Sequence, residues 1–249
     1  MYMHATHFYD LFDFDTQETN AQQAFFLSHA EGCKHVLDVG AGSGTIAFSL
    51  ARHGISVVCL EPSPTMRSLL ISRLAYAMEL QKYITPLPYD AIDFRLSRLF
   101  SLVYSSNVMH LILDEGERTK VMSNVVHHLE PRGKVIVDFR IGGLTTKERE
   151  FSGELNLGEI QYRRYTSVQQ LEENKWSYTW FFEIYDRDKQ IEAFQEGFQI
   201  RIDRPEACRE VFAKHRLSTI AEYSDYSFTA FEPTEGPNRL IIVGRRDTK

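Results

Sequence analysis

Two carboxylates and three glycines stand at spacings that suit ligand chemistry. Asp38 lies in the apolar run Val36-Leu37-Asp38-Val39, and Gly40, Gly42 and Gly44 follow at alternate positions, with Ala41 between the first two. Glu61 closes the next apolar run, Ile55-Ser56-Val57-Val58-Cys59-Leu60. Glycine lets backbone approach a ligand with no Cβ in the way, and it accepts positive φ. A strand, a glycine-rich turn and a helix place a nucleotide-like ligand at the carboxyl end of the first strand, and an acid ending the second strand can accept from a ribose diol. A dinucleotide fingerprint wants Gly-x-Gly-x-x-Gly/Ala, but Thr45 stands at its third site. Asp38, two positions before the first glycine, would also repel a pyrophosphate at short range. A ligand carrying an ammonium and a sulfonium tolerates that acid. The competing reading of Glu61 is a helix-start carboxylate with no ligand.

The elements that must position these residues read as alternating strands and helices. Ile46 to Ala51 predicts the helix after the glycine turn, stopped near His53-Gly54. Ser63 as N-cap and Pro64 in the first turn open another helix, whose Met66, Leu69, Leu70, Leu74, Ala77 and Met78 are expected in the core. Ile84 to Pro88 holds two prolines and reads as a short edge strand. Phe100 to Tyr104 reads as the central fourth strand, running into a Ser105-Ser106-Asn107 loop at the ligand edge. Glu115 to Leu129 is expected to be helical, Glu130-Pro131-Arg132-Gly133 a turn, and Lys134 to Phe139 the fifth strand. Before the first strand, a helix from about Asn20 to Ala30 carries Phe25, Phe26 and Leu27 on its apolar face. Beyond Arg140 the period changes. Trp176, Tyr178, Trp180, Phe182 and Ile184 alternate with other residues, as do Phe198, Ile200 and Ile202, so a small antiparallel sheet is inserted there. Such a sheet would roof the ligand cleft. A helix over Pro205 to Lys214 and strands over Leu217 to Glu222 and Arg239 to Val243 end the chain, with a loop through Pro233, Gly236 and Pro237 between the two strands.

The chain has 249 residues, 43% apolar and 25% charged, with a net charge of −6. That suits a soluble globular protein of one domain with an insertion. Nothing is basic enough to track a phosphate backbone, so nucleic acid is not an expected partner. No apolar run approaches the ~18 residues of a membrane span, and the amino terminus lacks a basic-then-apolar leader. Cys33, Cys59 and Cys208 are scattered, which fits reduced thiols and a cytoplasmic setting. His127 and His128, adjacent on one helix, point to different faces and cannot chelate together, so no metal is expected.

The ordered set Asp38, Gly40, Gly42, Gly44 and Glu61 resembles motif I and the following ribose acid of class I S-adenosylmethionine-dependent methyltransferases. From Tyr9 to Arg246 the order of motifs is similar to small-molecule methyltransferases with a β-sheet lid. Tyr9-Asp10-Leu11-Phe12, Leu60-Glu61-Pro62-Ser63 and Asp93-Phe94-Arg95-Leu96 further resemble the N-methyltransferases of nucleotide-linked deoxysugars. The resemblance implies an α/β, Rossmann-like, doubly wound sheet of seven strands, built from residues 1–140 and 205–249, with residues 141–204 as an antiparallel β lid. It implies S-adenosyl-L-methionine as cofactor, held by Tyr9, Asp38, Gly40, Ala41, Gly42, Gly44, Glu61, Pro62, Met66, Asp90, Ala91 and Ser106. In this pattern Asp90 accepts from the adenine amino group beside the backbone of Ala91; its alternative is a turn aspartate. Tyr9 would lie near the methionine end, His110 would face the acceptor as a modest base, and these two are the candidate catalytic residues.

The expected reaction is methyl transfer to a small-molecule acceptor, an amine nitrogen before an oxygen or a carbon. The Ser105-Ser106-Asn107 loop lacks the Asn/Asp-Pro-Pro-aromatic run of enzymes that methylate nucleobase amines or glutamine side chains. An NAD-linked oxidoreductase and a non-catalytic methyltransferase-like binding module are the rivals from other classes. Arg163-Arg164 between Tyr162 and Tyr165 could hold an anionic group of the acceptor, or form a solvated lid face. The aromatic lid face can also pair with a second copy of the chain as a homodimer.

Overall fold

The computed structural model describes residues 6–13, 17–233, 236 and 238–247. Its elements are α1 (Thr6–Asp13), α2 (Gln17–His29), β1 (His35–Val39), α3 (Thr45–Arg52), β2 (Ser56–Leu60), α4 (Pro64–Ala75), β3 (Ile84–Leu87), β4 (Phe100–Ser105), α5 (Glu115–His127), β5 (Leu129–Arg140), β6 (Lys147–Leu157), β7 (Ile160–Glu172), β8 (Lys175–Asp186), β9 (Lys189–Arg201), α6 (Pro205–Lys214), β10 (Leu217–Tyr223) and β11 (Arg239–Arg246). Seven strands form one sheet in the order β10-β11-β5-β4-β1-β2-β3. The pairs from β5 to β3 are parallel, whereas β11 runs antiparallel to β5 and β10 antiparallel to β11. β4 is therefore the middle strand, and β3, with Pro86 in it, is an edge where a missing N–H does least harm.

Strand alternation divides the core between the two faces. Val36 packs with Phe25, Phe26, Phe48 and Leu70 on one side. Leu37 and Val39 pack with Val121, Met122 and Phe212 on the other. Helices cover both faces, as parallel strands buried on both sides require. Ser63 caps α4 by accepting from the Met66 N–H, and Asp114 caps α5 by accepting from Glu117 at 2.8 Å.

α4 stops at Ala75, so the helical period that would have buried Met78 breaks, and Met78 is 75% exposed. β5 begins at Leu129, earlier than its apolar run suggests. The register jumps from Phe100↔Leu129 to Leu102↔Lys134, and Arg132 takes a φ of 64° inside that irregularity.

The second sheet, β6-β7-β8-β9, is an antiparallel meander inserted after β5. Only β8 and the end of β9 show clean alternation in sequence; β6 is largely exposed, β7 is mostly half-buried, and both carry a weaker apolar pattern. The inner face of this lid sheet packs on α1. Phe8 stacks on Phe182 at 5.3 Å and meets Tyr162 and Phe194, while Phe12 touches Phe182.

Candidate active site

The glycine turn folds β1 back onto the end of β2. The N–H groups of Gly40 and Ala41 both donate to the Leu60 carbonyl at 2.9 Å. Gly40 has a φ of 82°, and a Cβ there would stand 2.4 Å from Cγ2 of Val108. Gly42 has a φ of 57°, and a Cβ there would crowd Cε of Met66 at 3.3 Å. The turn is thus a backbone cradle at the carboxyl edge of the sheet, closed to side chains at these positions.

Glu61 is fixed by that cradle. One carboxylate oxygen accepts the Gly42 N–H and the other accepts the Ser63 N–H, both at 2.8 Å. Arg67 donates to the Glu61 and Pro62 carbonyls at 2.6 and 3.3 Å. The ligand and helix-start readings of this acid are therefore compatible: it ties the turn to the start of α4 and retains lone pairs for a further donor. Burial raises the Glu61 carboxyl above its ordinary range, against the backbone hydrogen bonds that lower it. Asp38, in β1, accepts from the Tyr104 hydroxyl of β4 at 2.8 Å. Burial pushes Asp38 up to about 7, opposed by that hydrogen bond and reinforced by the charge of Glu61. Two coupled acids beside bare backbone favour a ligand with hydroxyls and a positive charge, and the cradle and donor set fit S-adenosylmethionine.

Asp90, half-buried after β3, accepts from Ile92 N–H at 2.9 Å, so it forms the turn expected of its alternative reading. It lies within electrostatic reach of Glu61, and Ala91 beside it is buried. Met66 is buried at the start of α4. The side chain of Tyr9 lies outside the described residues, as does Pro237.

Ser106 belongs to a different group from Asp38 and Glu61. Its hydroxyl accepts from Gln22 at 2.9 Å, meets the Tyr226 hydroxyl at 2.8 Å and donates to Asp138 at 3.3 Å. Asp138 also takes the Asn107 N–H on both oxygens, at 2.8 and 3.1 Å, and the Tyr226 hydroxyl. Arg239 stacks over Tyr226 at 4.7 Å and pairs with Glu18 at 2.6 Å. Sequence reasoning missed Asp138 as a site residue, although it ends an apolar strand much as Asp38 does. Tyr226 and Arg239 gave no local signal.

His110 sits in a short 3-10 turn, Met109–Leu111, after the Ser106 loop. Burial lowers its imidazole to about 4; Asp138 pulls it up, and Arg140, Arg239 and Arg118 push it further down. The ring is therefore neutral at pH 7. Arg118, 2% exposed, donates to the Met109 carbonyl at 3.2 Å and pairs with Asp203 at 2.6 Å. Asp203 follows β9, and its N–H donates to the Arg140 carbonyl at 2.8 Å, joining the two ends of the lid.

The Arg163-Arg164 pair is not one feature. Successive strand residues face opposite ways. Arg163 lies over Tyr185 at 4.7 Å and near Glu154 at 3.6 Å, while Arg164 lies over Phe12 at 4.8 Å on the α1 side. His128 is a core group: Nε2 accepts from Leu96 N–H at 3.0 Å, so Nδ1 donates to the Asn124 carbonyl at 2.8 Å. Among the described residues no group of acids, histidines and cysteines is placed to hold a metal ion, and no helix is long and apolar enough to cross a membrane.

Residues 36–133 match the family model described as a methyltransferase domain. The cypemycin N-terminal methyltransferase of a Streptomyces species is 27% identical over 104 residues, 41% of this chain and 40% of that protein. The match therefore spans less than half of the curated relative. A S-adenosylmethionine-dependent methyltransferase from Clostridium acetobutylicum superposes with a TM-score of 0.78 at 18% identity, over 97% of each chain. The sugar N-methyltransferase KedS8 of a Streptoalloteichus species superposes with a TM-score of 0.77 at 17% identity, covering 100% of this chain and 94% of that one. These two likenesses span both sheets and establish a shared fold. The glycine turn and its two acids lie inside the matched segment, and the chain shares the fold of the two superposed methyltransferases across both sheets.

Proposed function

We propose that the chain transfers a methyl group from S-adenosylmethionine to an amine nitrogen of a small-molecule acceptor. The observation that carries this reading is the Glu61 carboxylate, held at the mouth of the glycine turn by the Gly42 and Ser63 N–H groups. Glu61 would accept the ribose hydroxyls, Asp38 would face the cationic methionine end, and Gly40, Ala41, Gly42 and Gly44 would offer their backbone. Pro62 and Met66 would flank the nucleoside, with Asp90 and Ala91 at the adenine, and Tyr9 near the methionine end.

When bound, S-adenosylmethionine supplies an electrophilic methyl on a sulfonium. The chain holds the acceptor in line, which can account for ~7–11 kcal/mol of barrier. The lid would keep water away from the acceptor and the methyl donor. A neutral His110 accepts a hydrogen bond from the acceptor amine and orients its lone pair. Its low basicity makes it a poor proton sink, so a neutral amine suits it better than a hydroxyl. Nitrogen as the acceptor atom also fits the names of the cypemycin enzyme and KedS8. The net charge of −6 disfavours a nucleic-acid acceptor. The unpaired Cys33, Cys59 and Cys208 fit a reducing compartment.

Calorimetric titration with S-adenosylhomocysteine tests the reading. Wild type should bind in the micromolar range, about −8 kcal/mol, and Glu61→Ala should lose most of that affinity. A wild type that binds none of it would sink the proposal.

A further inference from the structure

Three arginines lie within electrostatic reach of His110: Arg118, Arg140 and Arg239. Two of them have acids. Arg118 is paired with Asp203, and Arg239 with Glu18. Arg140 has no ion pair and no side-chain hydrogen bond among the described residues, and its Nε is shut off from solvent without a partner. Asp138, the acid beside His110, is committed to Asn107, Tyr226 and Ser106.

The place of Arg140 is fixed by backbone. It ends β5 at the carboxyl edge, where ligands bind in such sheets. It pairs with Arg239 across β11, and its carbonyl accepts the Asp203 N–H at 2.8 Å. An arginine cannot shed its proton, and a half-buried guanidinium without an acid lacks compensation for the water it has lost. Its planar fork matches a carboxylate or a phosphate in two parallel hydrogen bonds.

We propose that Arg140 binds an oxyanion carried by the acceptor, so that the methylated molecule is a small amine bearing a carboxylate or a phosphate ester. This rests on the methyltransferase reading above and adds to it the charge class of the acceptor. Arg140 is then a specificity residue: it sets which amines are held next to His110.

The test uses the full chain with S-adenosylhomocysteine present, labelled at its histidine rings. Sodium acetate and inorganic phosphate are titrated separately while the His110 resonance, assigned with His110→Gln, is followed by NMR. At least one anion should give a saturable shift. Its Kd should rise at least about tenfold in Arg140→Met, and less in Arg140→Lys, which keeps the charge and loses the fork. A response to acetate alone identifies a carboxylate acceptor, and one to phosphate alone a phosphorylated acceptor. No saturable shift with either anion, or an unchanged Kd in Arg140→Met, overturns the proposal. S-adenosylhomocysteine affinity on the same samples separates the two readings. Its retention in Arg140→Met shows a folded variant, and its absence from wild type counts against the methyl-donor reading alone, since the anion titration can be repeated without it.

Discussion

The Tyr104 hydroxyl donates to Asp38 at 2.8 Å, joining the two central strands beneath the glycine turn. Burial nonetheless raises the Asp38 carboxyl from 3.8 to about 7. The sign follows from linkage. A carboxyl raised in the folded state stabilises the fold when protonated; that contribution is complete below 3.8 and is lost as pH rises through about 7. A cationic amine brought beside Asp38 favours the carboxylate. S-adenosylhomocysteine should therefore bind with release of a proton, and its affinity should climb between about pH 6 and 8. Calorimetry in buffers of different ionisation enthalpy measures both effects. Asp38→Asn should flatten the profile, and Tyr104→Phe should move its midpoint to higher pH. A pH-independent affinity in wild type would exclude Asp38 from the amine.

Gly40→Ala should destabilise the fold. The new methyl would meet Val108 at 2.4 Å and force a φ of 82° on a residue with a side chain. The two costs can be separated. Left-handed strain amounts to about 1–2 kcal/mol, and overpacking adds about 1–3 kcal/mol. In a Val108→Ala background the overpacking share should vanish while the strain remains. Urea unfolding of the four proteins in this cycle measures both. A Gly40→Ala penalty equal in the two backgrounds would show that Val108 simply moves aside.

The sequence made the glycine cradle and the parallel sheet legible because both are written locally. Strands of β-branched residues, a glycine stop at Gly54 and the Ser63-Pro64 helix start all act within a few residues. What it hid acts over distance. Asp138 draws its partners from the Ser106 loop and from Tyr226 near the carboxyl end, and nothing near residue 138 announces them. The role of α1 as a layer between turn and lid depends on Phe182 and Ser43, far away in the chain. The Arg163-Arg164 pair fails for a legible reason, since the period of two that reveals strands also sends neighbours to opposite faces.

Arg118 and Asp203, each 2% exposed at the side chain, hold the His110 turn to the end of the lid. Removing one charge strands the other. Arg118→Met should cost about 3 kcal/mol, the low end for a broken buried pair, because Arg201 still reaches Asp203 at 2.9 Å. Arg118→Met combined with Asp203→Leu should recover part of that loss, since no charge is then left stranded. Chemical unfolding of the two variants decides it. A double variant less stable than Arg118→Met would mean that the Asp203 carboxylate serves Arg201 more than Arg118.

The first helix should govern how fast the cofactor site opens. On one side Ser43, inside the glycine turn, donates to Asp10 at 2.7 Å, and Arg73 donates to the Ser43 carbonyl at 2.9 Å. On the other side Phe8 stacks on Phe182 of the lid. A ligand seated on the turn leaves by loosening α1 from one neighbour or the other. Ser43→Ala removes a partly exposed hydrogen bond to a carboxylate, about 1 kcal/mol, which should speed S-adenosylhomocysteine release about fivefold and leave the association rate nearly unchanged. Phe8→Ala should speed release as well, through loss of the lid contact. Combining the two should add less than the sum of their effects, because a helix already detached from the lid gains little freedom when its hold on the turn is cut. Stopped-flow displacement of the bound ligand gives the rates. Strict additivity would show that α1 is packed against the turn and the lid independently and does not gate the site.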